Sequence, residues 1–161
     1  MKIRAATEDD WENLKAIRLA ALLDAPTAFG VSHASALAYT DSQWRDRAAG
    51  RGPARYLLCL DDTAVVGMVA HVIGEGGECN LIAMWVAPSA RGTPAAAGLV
   101  DAVKASAAAQ GHRRLVLDVA PDNARAVAFY RRQGFTFLPE WEALESHPHI
   151  QVQKMEWRAS A

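Results

Sequence analysis

Cysteine is scarce, long apolar runs are missing and net charge is close to zero, and each shortage removes a class of function. The two cysteines, Cys59 and Cys79, lie in unrelated apolar segments without CxxC spacing, so they read as reduced core thiols and not as a disulfide or a zinc site. The most apolar-looking stretch, Ala95 to Ala109, is broken by Asp101, Lys104 and Ser106, which leaves no run of about 20 apolar residues to cross a bilayer. The opening "MKIRAATEDDW" turns acidic before any apolar segment develops, which argues against a secretory signal and makes the cytoplasm the expected location. A formal charge of −1 gives no electrostatic case for nucleic acid or an anionic membrane surface. There is no internal repeat and no low-complexity linker, and 161 residues, 51% hydrophobic, fit a single domain with one sizeable core.

What is present is a change of grammar at Val86. Before it, "MKIRAA" reads as a strand, and Thr7 with Asp10 forms a capping arrangement ahead of a helix through Trp11, Leu14, Ile17 and Ala21. From Pro26 to Pro53 the pattern is weaker and reads as a candidate lid, with Phe29 and Gly30 in a loop and "DSQWRDRAAG" as a short helix closed by Gly50. The runs "ARYLLCL", "AVVGMVAHVI" and "CNLIAMWVA" then predict an antiparallel meander. After Val86 the order is helix from about Pro94 to Ala109, strand "RLVLDVA", helix from about Asn123 to Gln133, then a final hairpin from "FTFLPEW" and "HIQVQKMEW". Such alternation predicts crossover connections and parallel pairing.

The turn "VAPSARGTPAAAGLV" has a purely structural explanation: Thr93 as N-cap, Pro94 at the first helical position, and Ala96, Leu99, Val100, Val103 and Ala107 on one buried face. The same helix start is also an anion site, because its first amides carry the positive end of the macrodipole and Arg91 adds a cation. Asn123 and Tyr130 stand seven residues apart, which places both on one helix face about 10.5 Å apart along the axis. Two histidines, His147 and His149, lack further ligands, and no metal is assigned.

"WVAPSARGTPAAAGLV" followed by "RRLVLDVAPDNARAVAFYRRQGF" resembles the GNAT superfamily of N-acetyltransferases, over about Cys79 to Phe137. The resemblance implies a mixed α+β, three-layer fold: a central antiparallel meander, a parallel splayed strand pair, and helices on both faces. It implies acetyl-CoA as co-substrate, with Arg91, Gly92, Thr93, Ala95 and Ala96 around the pyrophosphate, Trp85, Val86 and Ala87 pairing with pantetheine, and Asn123 and Tyr130 along the arm. Pro94 takes the place of the first family glycine and removes one donor. Tyr130 is implied as the acid that protonates the leaving thiolate.

The position of the common family base, eight residues before the Val-Ala-Pro proline, is Asn80, which cannot take a proton. Glu78 and Asp118 are the carboxylates nearest in sequence or strand order, and water serves where the amine arrives neutral. Phe29, Trp44 and Asn80 are expected on the acceptor side, while "GHRR" from Gly111 to Arg114 reads first as a solvated helix-to-strand connection, with contact of Arg113 or Arg114 to the adenosine 3′-phosphate as the alternative. The expected acceptor is a primary amine of a small molecule or peptide. A non-catalytic acyl-CoA-binding module stays open as the alternative, as does a homodimer.

Overall fold

The computed structural model describes residues 1–160. Lys2–Ala5 (β1) pairs antiparallel with Arg55–Asp61 (β2), and a short 3-10 turn at Glu8–Asp10 leads into Trp11–Asp24 (α1). Asp10 locks this corner: Arg4 grips both of its oxygens at 2.7 and 2.8 Å, and the Thr7 amide donates to it at 2.7 Å. The guanidinium draws the buried carboxyl down from 3.8 to about 2. His33–Leu37 (α2), capped by Ser32, is a helix inside the weakly patterned stretch that the sequence does not single out. Asp41–Ala49 (α3) follows, with reciprocal capping between Thr40 and Gln43 and left-handed Gly50 at φ 73° ending it.

Ala64–Ile73 (β3) and Cys79–Val86 (β4) complete the expected meander. Ala95–Ala109 (α4) then crosses over to Arg114–Val119 (β5), which pairs parallel with β4. Ala124–Arg132 (α5), Thr136–Leu144 (β6) and His147–Arg158 (β7) finish the chain, and the sheet order is β1-β2-β3-β4-β5-β7-β6. The parallel pairing expected after Val86 therefore stops at β4 and β5. β7 inserts between β5 and β6, antiparallel to both. The burial of the hairpin fits this order: β7 buries Met155 and Val152 from its interior position, while β6, largely exposed along its length, takes the edge and accommodates Pro139 in a register irregularity.

Each face of the sheet has its own core. α4 and α5 cover one face, where Leu57, Val69, Leu81, Leu99, Val103, Leu115, Phe135 and Met155 pack together with Cys59 and Cys79. Both cysteines are free and buried, as expected. α1, α2 and α3 cover the other face around Leu14, Leu22, Trp44, Leu58 and Met68. Gly67 sets the spacing under α4, since a Cβ there would meet Leu99 Cδ1 at 2.9 Å. α4 begins one residue later than expected, with Pro94 as cap residue, so Ala95 joins Leu99, Val100, Val103 and Ala107 on the buried face. Ala96 is only partly buried, packing against the edge of that core while also lining a groove beside α4.

Candidate functional site

β4 and β5 touch only through Cys79 with Leu115 and Asn80 with Val116, and beyond these pairs the strands part into a wedge. β4 bulges there: Ala83 and Met84 stand against the single residue Val69, and Ala83 adopts φ 55°, a left-handed conformation that alanine seldom takes. The next ladder contact fixes which backbone groups face the opening. The Ala87 amide donates to the Val66 carbonyl at 2.8 Å, so in the same trans peptide the Val86 carbonyl points the opposite way, into the wedge. Of the expected residues Trp85, Val86 and Ala87, it is Val86 that offers a carbonyl there, while the Ala87 amide is spent on β3.

The turn after β4 runs through a 3-10 segment, Pro88–Ala90, then Arg91, and reverses at Gly92, whose φ of 80° suits glycine. Its amides divide into two groups. Thr93 donates to the Ala90 carbonyl at a long 3.4 Å and Ala95 to the Thr93 hydroxyl at 3.3 Å. Gly92, Ala96 and Ala97 find no intramolecular acceptor among the described residues. Unpaired donors at a helix N-terminus are the kind of group an anion can satisfy, and Ala97 is among them although the motif does not single it out. Pro94 is exposed and contributes no donor.

Arg91 is not a bare cation. Its Nη2 donates to Asp24 at 2.8 Å, its Nε donates to the Val86 carbonyl at 3.2 Å, and its guanidinium lies 5.9 Å from the Trp85 ring centre. Asp24, at the end of α1, was invisible as a site residue in the sequence because its partners are more than 60 positions away.

α5 forms the opposite wall. Asn123 caps it, its side-chain oxygen accepting from the Ala126 amide at 3.2 Å. Tyr130 packs edge-on against Phe129 and Phe135, with ring centres 5.2 and 5.8 Å away, and burial pushes its phenol pKa well above the ordinary value. Between the walls lies a groove of about 620 Å³ that brings together Trp85, Val86, Arg91, Gly92, Thr93, Ala96, Asn123 and Tyr130. Ala87 and Ala95 do not line it, Ala95 being turned into the core on the buried face of α4. Arg125, Phe129, Arg132 and Gln133 do, and sequence reasoning missed them; the i, i+4, i+7 spacing of Arg125, Phe129 and Arg132 on one face of α5 was the available signal.

Residues 7–135 match the family model described as Acetyltransferase (GNAT) family. The chain belongs to that family. An uncharacterised N-acetyltransferase of Mycobacterium bovis is 36% identical over 79 residues, 49% of this chain and 51% of its own length. An IAA acetyltransferase of Azospirillum brasilense is 35% identical over 82 residues, 50% of this chain and 54% of its own. The chain thus spans about half the length of the curated relatives it matches. Among solved structures, the ribosomal-protein-alanine N-acetyltransferase of Brucella melitensis superposes with a TM-score of 0.78 at 22% identity, covering 98% of this chain and 99% of its own. The structure of yncA from Salmonella typhimurium with its cofactor acetyl-CoA does so with 0.76 at 16%, covering 100% and 95%. At these identities they share the GNAT fold, which is the mixed, splayed architecture described above.

The remaining candidates of this GNAT chain lie away from the groove. Asn80 and Glu78 sit on the sheet face opposite buried Cys79, and the Asn80 amide donates to the Glu78 carbonyl at 3.3 Å. Glu78 is held below the ordinary carboxylate range, first by its own backbone amide and then by Asn80. Asp118, on β5 beyond the last β4 pair, meets Lys154 at 3.4 Å, and its charge raises the pKa of Glu142. Trp44 has no exposed surface and packs α3 into the core, while Phe29 is 8% exposed with its carbonyl accepting from Ser146 at 2.6 Å. Apolar packing thus claims the Trp44 side chain, which has no surface to offer a ligand. Arg114 pairs with Glu156 and Arg113 reaches the Ser160 carbonyl, so neither enters the groove. Arg125 and Arg132 are the α5 cations that do. No group of three His, Cys, Asp or Glu among the described residues has a metal-holding arrangement, and no described helix is long and apolar enough to cross a membrane.

Proposed function

We propose that this chain is an acetyl-CoA-dependent N-acetyltransferase acting on a primary amine of a small molecule or peptide. The observation that carries the reading is one groove that joins three orphan amides at the start of α4, the Val86 carbonyl on an open strand edge and the Tyr130 phenol. Those groups match a pyrophosphate, an extended amide-containing arm and a sulfur terminus in that order, along a groove of about 620 Å³. Gly92, Ala96 and Ala97 hold the diphosphate with Arg91, Val86 pairs with the arm as an added strand does, and Arg125 or Arg132 serves a further phosphate. Acetyl-CoA supplies the activated acetyl thioester.

The chain's own residues do the rest. The β4 bulge at Ala83 and Met84 re-aims backbone amides at the wedge mouth, where a carbonyl oxygen gathers charge during acyl transfer. Tyr130 stays protonated across the neutral range and hands its proton to the departing thiolate. The acceptor approaches from the face that carries Asn80, and its surplus proton leaves to water or through Glu78 or Asp118. The new C–N bond replaces the C–S bond, the proton lost by the amine balances the one given to the thiolate, and the Tyr130 phenolate regains its proton from water.

Calorimetry with acetyl-CoA, coupled to a thiol-release assay over a panel of amines, tests this. Micromolar binding with thiol release for at least one amine supports it. Binding without release across the panel transfers the assignment to a non-catalytic acyl-CoA-binding module, and absence of binding overturns both.

A further inference from the structure

Asp24 closes α1, where a carboxylate faces the negative end of the helix dipole and gains nothing from the helix itself. Its rewards come from the groove. One oxygen, Oδ2, accepts from Trp85 Nε1 at 3.0 Å and from Arg91 Nη2 at 2.8 Å, and both donors belong to residues that line the groove. The side chains of the pair are 39% and 37% exposed, so the carboxylate stands at the groove mouth and not beneath it.

We propose that Asp24 is an intramolecular competitor for Arg91, which weakens the hold of the groove on a pyrophosphate-bearing acyl-CoA and thereby eases release of the coenzyme. This rests on the reading of the groove as an acyl-CoA site. The argument is one of shared donors and like charge. Arg91 already gives Nε to Val86 and Nη2 to Asp24, so a phosphate oxygen must share the guanidinium with a carboxylate. An oxygen within hydrogen-bond reach of that guanidinium lies roughly 5–7 Å from Asp24, inside the Debye length at physiological salt. Asp24 is therefore a positioning residue with a cost: it aims Arg91 across the end of β4 and repels what Arg91 is aimed at.

The test compares coenzyme A binding to the wild type, Asp24→Asn and Asp24→Glu by calorimetry at low and high salt, with inorganic pyrophosphate as a second titrant. Asparagine keeps an acceptor for Trp85 and Arg91 but removes the charge. Asp24→Asn is expected to bind coenzyme A about 3- to 10-fold more tightly at low salt, with the gap closing as salt rises, and pyrophosphate should follow. Asp24→Glu keeps the charge and should stay near wild type. Matching melting temperatures guard against a folding artefact, and if Asp24→Asn melts lower, Asp24→Ser supplies the uncharged comparison. Equal or weaker binding by the uncharged variants shows that Asp24 only ties α1 to β4 and overturns the proposal. A wild type that binds no coenzyme A overturns the groove reading itself, and this inference with it.

Discussion

Replacing Tyr130 by phenylalanine isolates one oxygen atom. The ring packs edge-on against Phe129 at 5.2 Å and Phe135 at 5.8 Å, contacts that phenylalanine reproduces, so the helix and the groove wall should survive. What disappears is the proton. A coenzyme A thiol resembles a cysteine, with a pKa of roughly 8.5, and a phenol raised by burial remains a donor throughout the range in which the thiolate departs. A positioned acid contributes about 10²–10⁴-fold in rate, or about 2.7–5.5 kcal/mol of barrier. The assay is thiol release with a working acceptor from about pH 6 to 9, beside calorimetric binding of acetyl-CoA. Turnover should fall by that factor while affinity stays within about twofold. Stability gives an independent readout with a definite sign. Because the folded phenol titrates above its unfolded value of about 10, both states are protonated at lower pH; above it the unfolded chain ionises first and the fold loses stability. Tyr130→Phe should lack that alkaline loss. A variant that turns over at the wild-type rate across the range refutes the acid assignment and leaves Tyr130 as packing.

Arg91→Ala should weaken acetyl-CoA binding by about one to two decades, the worth of a charge-assisted hydrogen bond, and unchanged affinity in calorimetry removes Arg91 from the proposed coenzyme site. Pro94→Gly restores an amide beside Gly92, Ala96 and Ala97 while loosening the unfolded chain, so binding should tighten as the melting temperature drops; lower stability with unchanged affinity marks the proline as a helix-start residue alone. Asp10→Asn tests the α1 corner. With a folded pKa of about 2 against 3.8, the stability the carboxylate provides is present above about pH 4 and lost as pH falls through about 2. Urea titration should find the variant weaker than wild type by about 2 kcal/mol at pH 7 and nearly level with it at pH 2.

Wherever periodicity and capping chemistry agree, the fold is legible in the sequence: the meander, α1, α3 and α5 stand where their apolar spacing and caps put them, and α4 where its apolar spacing does, one residue past the expected Thr93 cap. α2 escaped because five residues carry too little period to separate from a loop. The place of β7 between β5 and β6 escaped because strand order depends on which edge a hairpin docks against, and Pro139 speaks to that only once the hairpin exists. The site divides along the same line. Gly92 and Ala96 follow from local turn chemistry, and Asn123 and Tyr130 share a wall because their helix spacing requires it. Asp24 is placed by tertiary packing, as is the burial of Trp44, and no local signal carries such information.

The junction of β4 with β5 rests on two residue pairs, whereas β5 and β7 share a ladder from Arg114 with Arg158 to Val119 with Gln153. Mechanically the sheet is two plates joined by a narrow seam, with α4 strapped across one side. Bending concentrates where the fewest hydrogen bonds must be strained, so the plates can rock about Cys79 and Asn80 while each keeps its own ladder intact. A small rotation there changes the gap farthest from the seam the most, between Trp85 on one plate and the helix that carries Tyr130 on the other. The width of the wedge is thus the dimension of the sheet that the fewest interstrand hydrogen bonds hold in place.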